Sequence, residues 1–205
     1  MRISRRGFLA AAGAAPLSGT LFRWNAPTGG LTCALPESRA GFESALPSPR
    51  DRRLLLFPAA VGWDPSIPRD VRNGATVLFE SAAGFGDAEA FEVQRAGLRS
   101  DFGITIEPSA EARRLNATTP AYVDLLWPMP AKVRDFSSVV VVRGGETVGT
   151  LGSVPVAALQ RHGAGAFLFL GSPIGPALWT GDPQAHAWLS SVVVTTRPSA
   201  HVKQQ

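Results

Sequence analysis

From residue 53 onwards, short runs of consecutive apolar residues alternate with turns built from glycine, proline and charged residues. Residues 53–60 read Arg-Leu-Leu-Leu-Phe-Pro-Ala-Ala, an apolar run whose length and proline stop predict a buried parallel strand. Residues 64–73 are polar and predict a short helix, capped by Asp64 or Ser66. Gly74 then opens a second strand over 75–80, and small residues at 81–86 make a turn. From Asp87, a candidate N-cap, Ala88, Phe91, Leu98 and Phe102 recur at helical spacing, and Gly103 stands where a C-terminal cap belongs. A helix over 87–102 is therefore expected. A short strand over 104–106 after it would complete a right-handed βαβ unit.

The second half has a different rhythm. Strands are predicted over 137–142, 147–151, 155–160 and 166–170, separated by Gly144-Gly145 and by the turn at 161–165, and they read as antiparallel hairpins. A loop over 171–181, holding Pro173 and Pro176, leads to a last helix opened by Asp182 or Pro183, with Ala185, Trp188, Leu189 and Val192 as its apolar face. Residues 197–205 form a polar tail, and there is no internal repeat.

The N-terminus has the pattern of an export signal. Ser4-Arg5-Arg6-Gly7-Phe8-Leu9 resembles the twin-arginine consensus through Arg5, Arg6, Phe8 and Leu9. The Ala- and Gly-rich stretch over 8–22 is shorter than the roughly 20 residues a helix needs to cross a bilayer. Small-x-small sites stand at Ala10-Ala11-Ala12 and Ala12-Gly13-Ala14. The division expected is a signal and cleavage region over 1–35, a linker over 36–52, an α/β domain over 53–196 and the tail over 197–205. The mature protein would be periplasmic or extracellular, with the twin-arginine machinery as its export partner and no stable membrane span.

Composition supports a globular body and removes one function class. Of the 205 residues, 45% are hydrophobic and 18% charged, so a sizeable core is available. The formal charge of +4 points to nucleic acid only until it is located. Arg2, Arg5, Arg6 and Arg23 all lie in 1–35, which has no acid, so the other 16 basic residues balance the 16 acidic ones. A neutral body has no excess field for phosphate, and nucleic acid is excluded as a partner. The single cysteine, Cys33, cannot form an intrachain disulfide. Thr32 before it fits a lipoprotein site poorly.

Three stretches resemble the class I glutamine amidotransferase-like superfamily: NGATVLFESAAGF at 73–85, PVAALQRHGAGAFLFLGSP at 155–173, and the loop and helix at 174–194. The resemblance implies a flavodoxin-like three-layer α/β sandwich with a mostly parallel sheet and antiparallel hairpins in the C-terminal half. It also implies a nucleophilic cysteine on the turn after the central strand and a histidine after the last strand. This chain has Glu80-Ser81-Ala82 at the first place and Gly171-Ser172-Pro173 at the second. A thiolate and its base are both absent there, so glutaminase activity is not expected.

What remains is a cluster at the carboxyl edge of the sheet, where open α/β sheets bind ligands: Glu80, Ser81, Ser172 and Asp182. Ser81 sits between strand and helix as a hydrolase nucleophile does, although Phe79 and Ala83 replace the glycines of the elbow motif; the alternative role is a turn or helix cap. Glu80, at a strand end, is expected to be buried and bonded to amides of the 172–175 loop or to an arginine. His162, His186 and His201 lack metal-ligand spacing, so neither a metal nor a cofactor is implied. Trp63, Trp127, Trp179 and Trp188 are candidates for a stacking wall or for core anchors. Three readings follow: a non-catalytic exported domain binding a small ligand or a protein partner, an accessory subunit co-exported with a folded partner, or a serine hydrolase using Ser81.

Overall fold

The computed structural model describes residues 31–46, 54–83, 87–108, 121–135 and 140–196. Among these residues, ten strands and five helices run β1 (Thr32–Cys33), α1 (Pro36–Ala45), β2 (Leu54–Val61), α2 (Ile67–Arg72), β3 (Thr76–Ser81), α3 (Ala88–Phe102), β4 (Thr105–Pro108), β5 (Ala121–Leu125), β6 (Ala131–Asp135), β7 (Val140–Arg143), β8 (Glu146–Leu151), β9 (Val154–His162), β10 (Gly165–Leu170), α4 (Gly175–Trp179) and α5 (Pro183–Thr195). Eight strands form one curled sheet in the order β1-β2-β3-β10-β9-β8-β5-β6, and β4 and β7 make a separate two-stranded ribbon.

The mostly parallel flavodoxin-like sandwich expected from the sequence is corrected here. Only β2–β3 and β3–β10 are parallel; every other neighbour in the large sheet runs antiparallel. For β8–β9 and β9–β10 the reason is the length of the connections. A two-residue turn at Gly163-Ala164 joins β9 to β10, and Gly152-Ser153 joins β8 to β9, and such tight turns can only reverse the chain. Both parallel pairs are joined by longer crossovers, β2 to β3 through α2, whereas β1–β2 and β5–β8 are antiparallel across long connections.

One more expectation changes. The strand after α3 does not enter the main sheet: Thr105–Pro108 pairs antiparallel with Val140–Arg143, so the proposed β3-α3-β4 unit does not exist. Within the stretch expected as cleavage region and linker, the described residues 31–46 are folded. Thr32 and Cys33 pair with Val61 and Ala60, and residues 36–45 form α1, whose Phe42 is completely buried.

Both faces of the sheet are covered. On one side Leu78 and Leu168 meet Phe42 of α1, Leu178 of α4 and Trp188, Leu189 and Val192 of α5. On the other, Val77, Phe79, Phe167 and Phe169 meet Ile67 and Val71 of α2, Leu98 and Phe102 of α3, and the β4–β7 ribbon. The alternation of side chains along a strand places Val77 and Phe79 on one face and Leu78 on the other. β3 is therefore buried along its whole length, which brings its last two residues, Glu80 and Ser81, into the interior.

Two helices end as their sequences dictate. Asp87 caps α3 through Ala90 N at 2.7 Å, and Gly103 closes it with a left-handed φ of 67°. Asp182 caps α5 by accepting from Gln184 N and Ala185 N.

Candidate functional site

The carboxyl ends of β2, β3 and β10 meet α1 and the loop into α4, and Glu80 lies at the junction. Its carboxylate is completely buried. Oε1 accepts from Ile174 N at 2.7 Å and Gly175 N at 2.8 Å; Oε2 accepts from Ala59 N at 3.0 Å and from the Ser38 hydroxyl at 2.5 Å. Four donors from three separate segments thus converge on one side chain. Ala59 presents its N–H from a bulge in β2, where the register against β3 jumps and Ala59 adopts a φ of 41°. Burial pushes the Glu80 carboxyl above the ordinary glutamate range, against the pull of the Ser38 hydroxyl and the Gly175, Ala59 and Ile174 amides. The Ser38 hydroxyl can donate or accept, so the pair remains bonded in either protonation state of the acid.

Close backbone approach seats Ser38 there. α1 crosses α4 at Gly41 and Gly175, and a β-carbon on Gly175 would lie 2.1 Å from the Ser38 hydroxyl oxygen. A side chain at either glycine would lift α1 from the sheet and draw Ser38 away from Glu80.

Ser81 points to the opposite side, into a second internal network. Its hydroxyl donates to Gln94 Oε1 at 2.5 Å and accepts from Ala83 N at 3.2 Å. The Gln94 amide nitrogen in turn donates to the carbonyls of Ala60 and Gly62 at 3.1 and 3.0 Å. An amide oxygen has no useful basicity, so Gln94 orients the Ser81 hydroxyl without activating it. His186 Nε2 lies 3.0 Å from the Leu178 carbonyl, and the His162 ring packs edge-on against Phe102.

Of the four residues proposed from the sequence, Glu80, Ser81 and Asp182 have different bonding partners. Glu80 bonds to the loop through Ile174 and Gly175. Ser81 turns to α3, Ser172 is buried in the loop, and Asp182 caps α5. Sequence reading missed Ser38 and Gln94. Gln94 interrupts the apolar stripe between Phe91 and Leu98, and that interruption was the available signal. Among the tryptophans, Trp188 is a core residue whose Nε1 donates to the Trp127 carbonyl at 2.7 Å. Trp63 packs on Phe79, Phe102 and Phe167 and donates to Asp101 at 2.9 Å. Trp179 is half exposed. These positions divide the proposed stacking wall between core and surface. Arg5, Arg6, Phe8, Leu9, Gly84 and His201 lie outside the described residues. Among the described residues, no three His, Cys, Asp or Glu side chains are grouped to hold a metal, and no helix is long and apolar enough to cross a membrane.

No protein-family model matches the chain, and no curated protein does. Solved structures do. The chain is similar to the exo-β-1,4-mannosidase Op5Man5 from Opitutaceae bacterium strain TAV5, with 18% identity and a TM-score of 0.50 over 72% of this chain and 26% of that one. It also resembles β-galactosidases from Rahnella sp. R3 (16% identity, TM-score 0.49, 70% of this chain and 22% of that one) and from Marinomonas ef1 (16%, 0.47, 80% and 26%). The chain spans about a quarter of the length of these glycoside hydrolases, and the likeness is one of fold. The likeness to the mannosidase corrects the resemblance to glutamine amidotransferase-like proteins drawn from the sequence. The stretches behind that resemblance, at 73–85 and 155–173, are glycines and apolar strands, and strand–turn–strand segments of that composition recur across unrelated α/β proteins.

Proposed function

We propose that this chain is exported by the twin-arginine route and serves outside the cytoplasm as a non-catalytic domain that binds a small ligand or a protein partner. The observation that carries the reading is the internal use of the polar groups at the sheet edge. Glu80 receives four hydrogen bonds, Ser81 is held by Gln94, and Asp182 is occupied as a helix cap. Catalysis needs a nucleophile and a base within reach of each other and of a substrate, and each of these groups is instead held by separate internal partners.

Export is supported by Ser4-Arg5-Arg6-Gly7-Phe8-Leu9. Two experiments test the proposal. Periplasmic protein treated with a fluorophosphonate probe and with chromogenic β-mannosides and β-galactosides should show neither labelling nor turnover; labelling abolished by Ser81→Ala would establish the serine hydrolase in its place. Affinity capture of the tagged protein from periplasm, followed by mass spectrometry, should recover a stoichiometric protein, or a small molecule that raises the Tm on re-addition. A monomer with neither would end the binding reading.

A further inference from the structure

We propose that the precursor is cut on the amino-terminal side of Leu31, so that the mature domain keeps β1 and α1 and Cys33 stays a free thiol instead of becoming an acylated N-terminus. The inference rests on the export reading above and adds to it where the domain begins.

Residues 31–46 are continuously bound to the body. Leu31 is buried in the cluster that holds Phe57, Ala60 and Phe79. Thr32 and Cys33 pair with Val61 and Ala60, and Ala34 N donates to the Ala59 carbonyl at 2.9 Å. Ser38 bonds Glu80, Gly41 lies against Gly175, and Phe42 is completely buried. A processing peptidase needs several extended residues free of other bonds, and this stretch offers none while the domain is folded. A cut within it would also undo the structure. Loss of residues 31–34 removes the edge strand and the Leu31 contact. A cut beyond Ser38 leaves the buried Glu80 carboxylate short of a donor and opens the Gly175 surface. Both small-x-small sites, Ala10-Ala11-Ala12 and Ala12-Gly13-Ala14, lie upstream of the boundary. Acylation at Cys33 would require removal of Leu31 and Thr32 and would anchor a lipid on an edge strand paired with β2.

The full-length precursor, expressed in an export-competent host and recovered from the periplasm, gives the test by N-terminal sequencing and intact mass. The expected first residue lies after Arg6 and no later than Leu31, with a mass equal to the polypeptide alone. Cys33→Ser should give the same N-terminus and the same periplasmic yield. A first residue anywhere from 32 to 46, an acyl mass on Cys33, or precursor accumulation in Cys33→Ser would overturn the proposal and leave export standing. Uncut protein starting at Met1 and confined to the cytoplasm would overturn both.

Discussion

Gly41 and Gly175 meet backbone to backbone, so that a β-carbon on Gly41 would lie 2.1 Å from the Gly175 carbonyl oxygen. Alanine at position 41 would gain about 1 kcal/mol of helix propensity. That gain is outweighed, because the atom it meets is main chain and cannot swing aside. α1 would have to move off α4, at an overpacking cost of up to about 3 kcal/mol, and would strain the Ser38–Glu80 bond as well. Gly41→Ala should therefore lower the Tm clearly. Gly152→Ala is the control: its φ is 61°, but nothing stands within 4 Å, so only the conformational cost of about 1 kcal/mol applies. Equal thermal melts for wild type and Gly41→Ala would show that α1 is not seated on α4.

Glu80→Ala removes the acceptor for three backbone amides and one hydroxyl at once. Each unpaired buried donor costs about 1–3 kcal/mol, so this variant should be severely destabilised. Glu80→Gln keeps one oxygen for Ile174 and Gly175 and turns its NH2 to Ser38, which can accept, but leaves Ala59 N without an acceptor. Its loss should be close to that of a single donor, about 1–3 kcal/mol. Denaturant melts of the three proteins should rank wild type, Gln, Ala; superimposable curves would contradict the buried hub.

The same acid predicts a pH dependence. Its folded pKa is raised, so the folded state binds the proton more tightly than the unfolded chain, where glutamate titrates near about 4.3. The stability this contributes is complete below the unfolded value and is lost as pH rises through the folded one. Because glutamine does not titrate, the stability difference between wild type and Glu80→Gln should be largest in acid and shrink towards neutral pH. A difference that grows with pH would reverse the sign of the shift.

Ser81→Ala should destabilise the domain although Ser81 performs no chemistry. It leaves both Gln94 Oε1 and Ala83 N without their partner, at about 1–3 kcal/mol. Gln94→Ala breaks the same bond from the other side, so the two losses should not add, with a coupling of at least about 0.5 kcal/mol. A double-mutant cycle with strictly additive terms would show that the Ser81–Gln94 bond contributes nothing.

Arg5→Lys combined with Arg6→Lys should retain the precursor in the cytoplasm while leaving the folded domain unchanged. Fractionation reads the first effect and a thermal melt the second, and continued export would refute the signal assignment.

How far the sequence could be read depended on whether each element announces itself locally. α3 and α5 do: Asp87, Gly103 and Asp182 mark their ends, and Ala185, Trp188, Leu189 and Val192 are the face that α5 buries. β2, β3 and β10 show as apolar runs because they are covered on both sides. α1 does not announce itself, because its buried residues are Ser38, Gly41 and Phe42, and a face that packs through glycine and serine carries no hydrophobic stripe. Strand partners are also invisible. Residues 104–106 and 140–142 look like any other strands, and nothing local states that they pair with each other apart from the large sheet. β5 and β6 went unread for a related reason: β6 alternates Lys132 and Arg134 with Ala131 and Val133 on an outer strand, and such short alternation is weak beside the charged residues. At the site, Glu80 was legible as a polar residue closing an apolar strand, whereas Ser38 and Gln94 needed the fold to bring them across 42 and 13 residues of chain.

The crossing of α1 over α4 also sets a clock on synthesis. Gly41 leaves the ribosome first and its partner follows 134 residues later, the difference between positions 175 and 41. At about 5–20 residues per second, roughly 7 to 27 s pass before the surface on which α1 rests has been made. For that interval Phe42 has no final place to go, and the strands of the parallel core wait with it, since β3 lies between β2 and a β10 not yet synthesised. The domain can close only when its last third arrives, so this nascent chain should depend on chaperone protection for most of its translation.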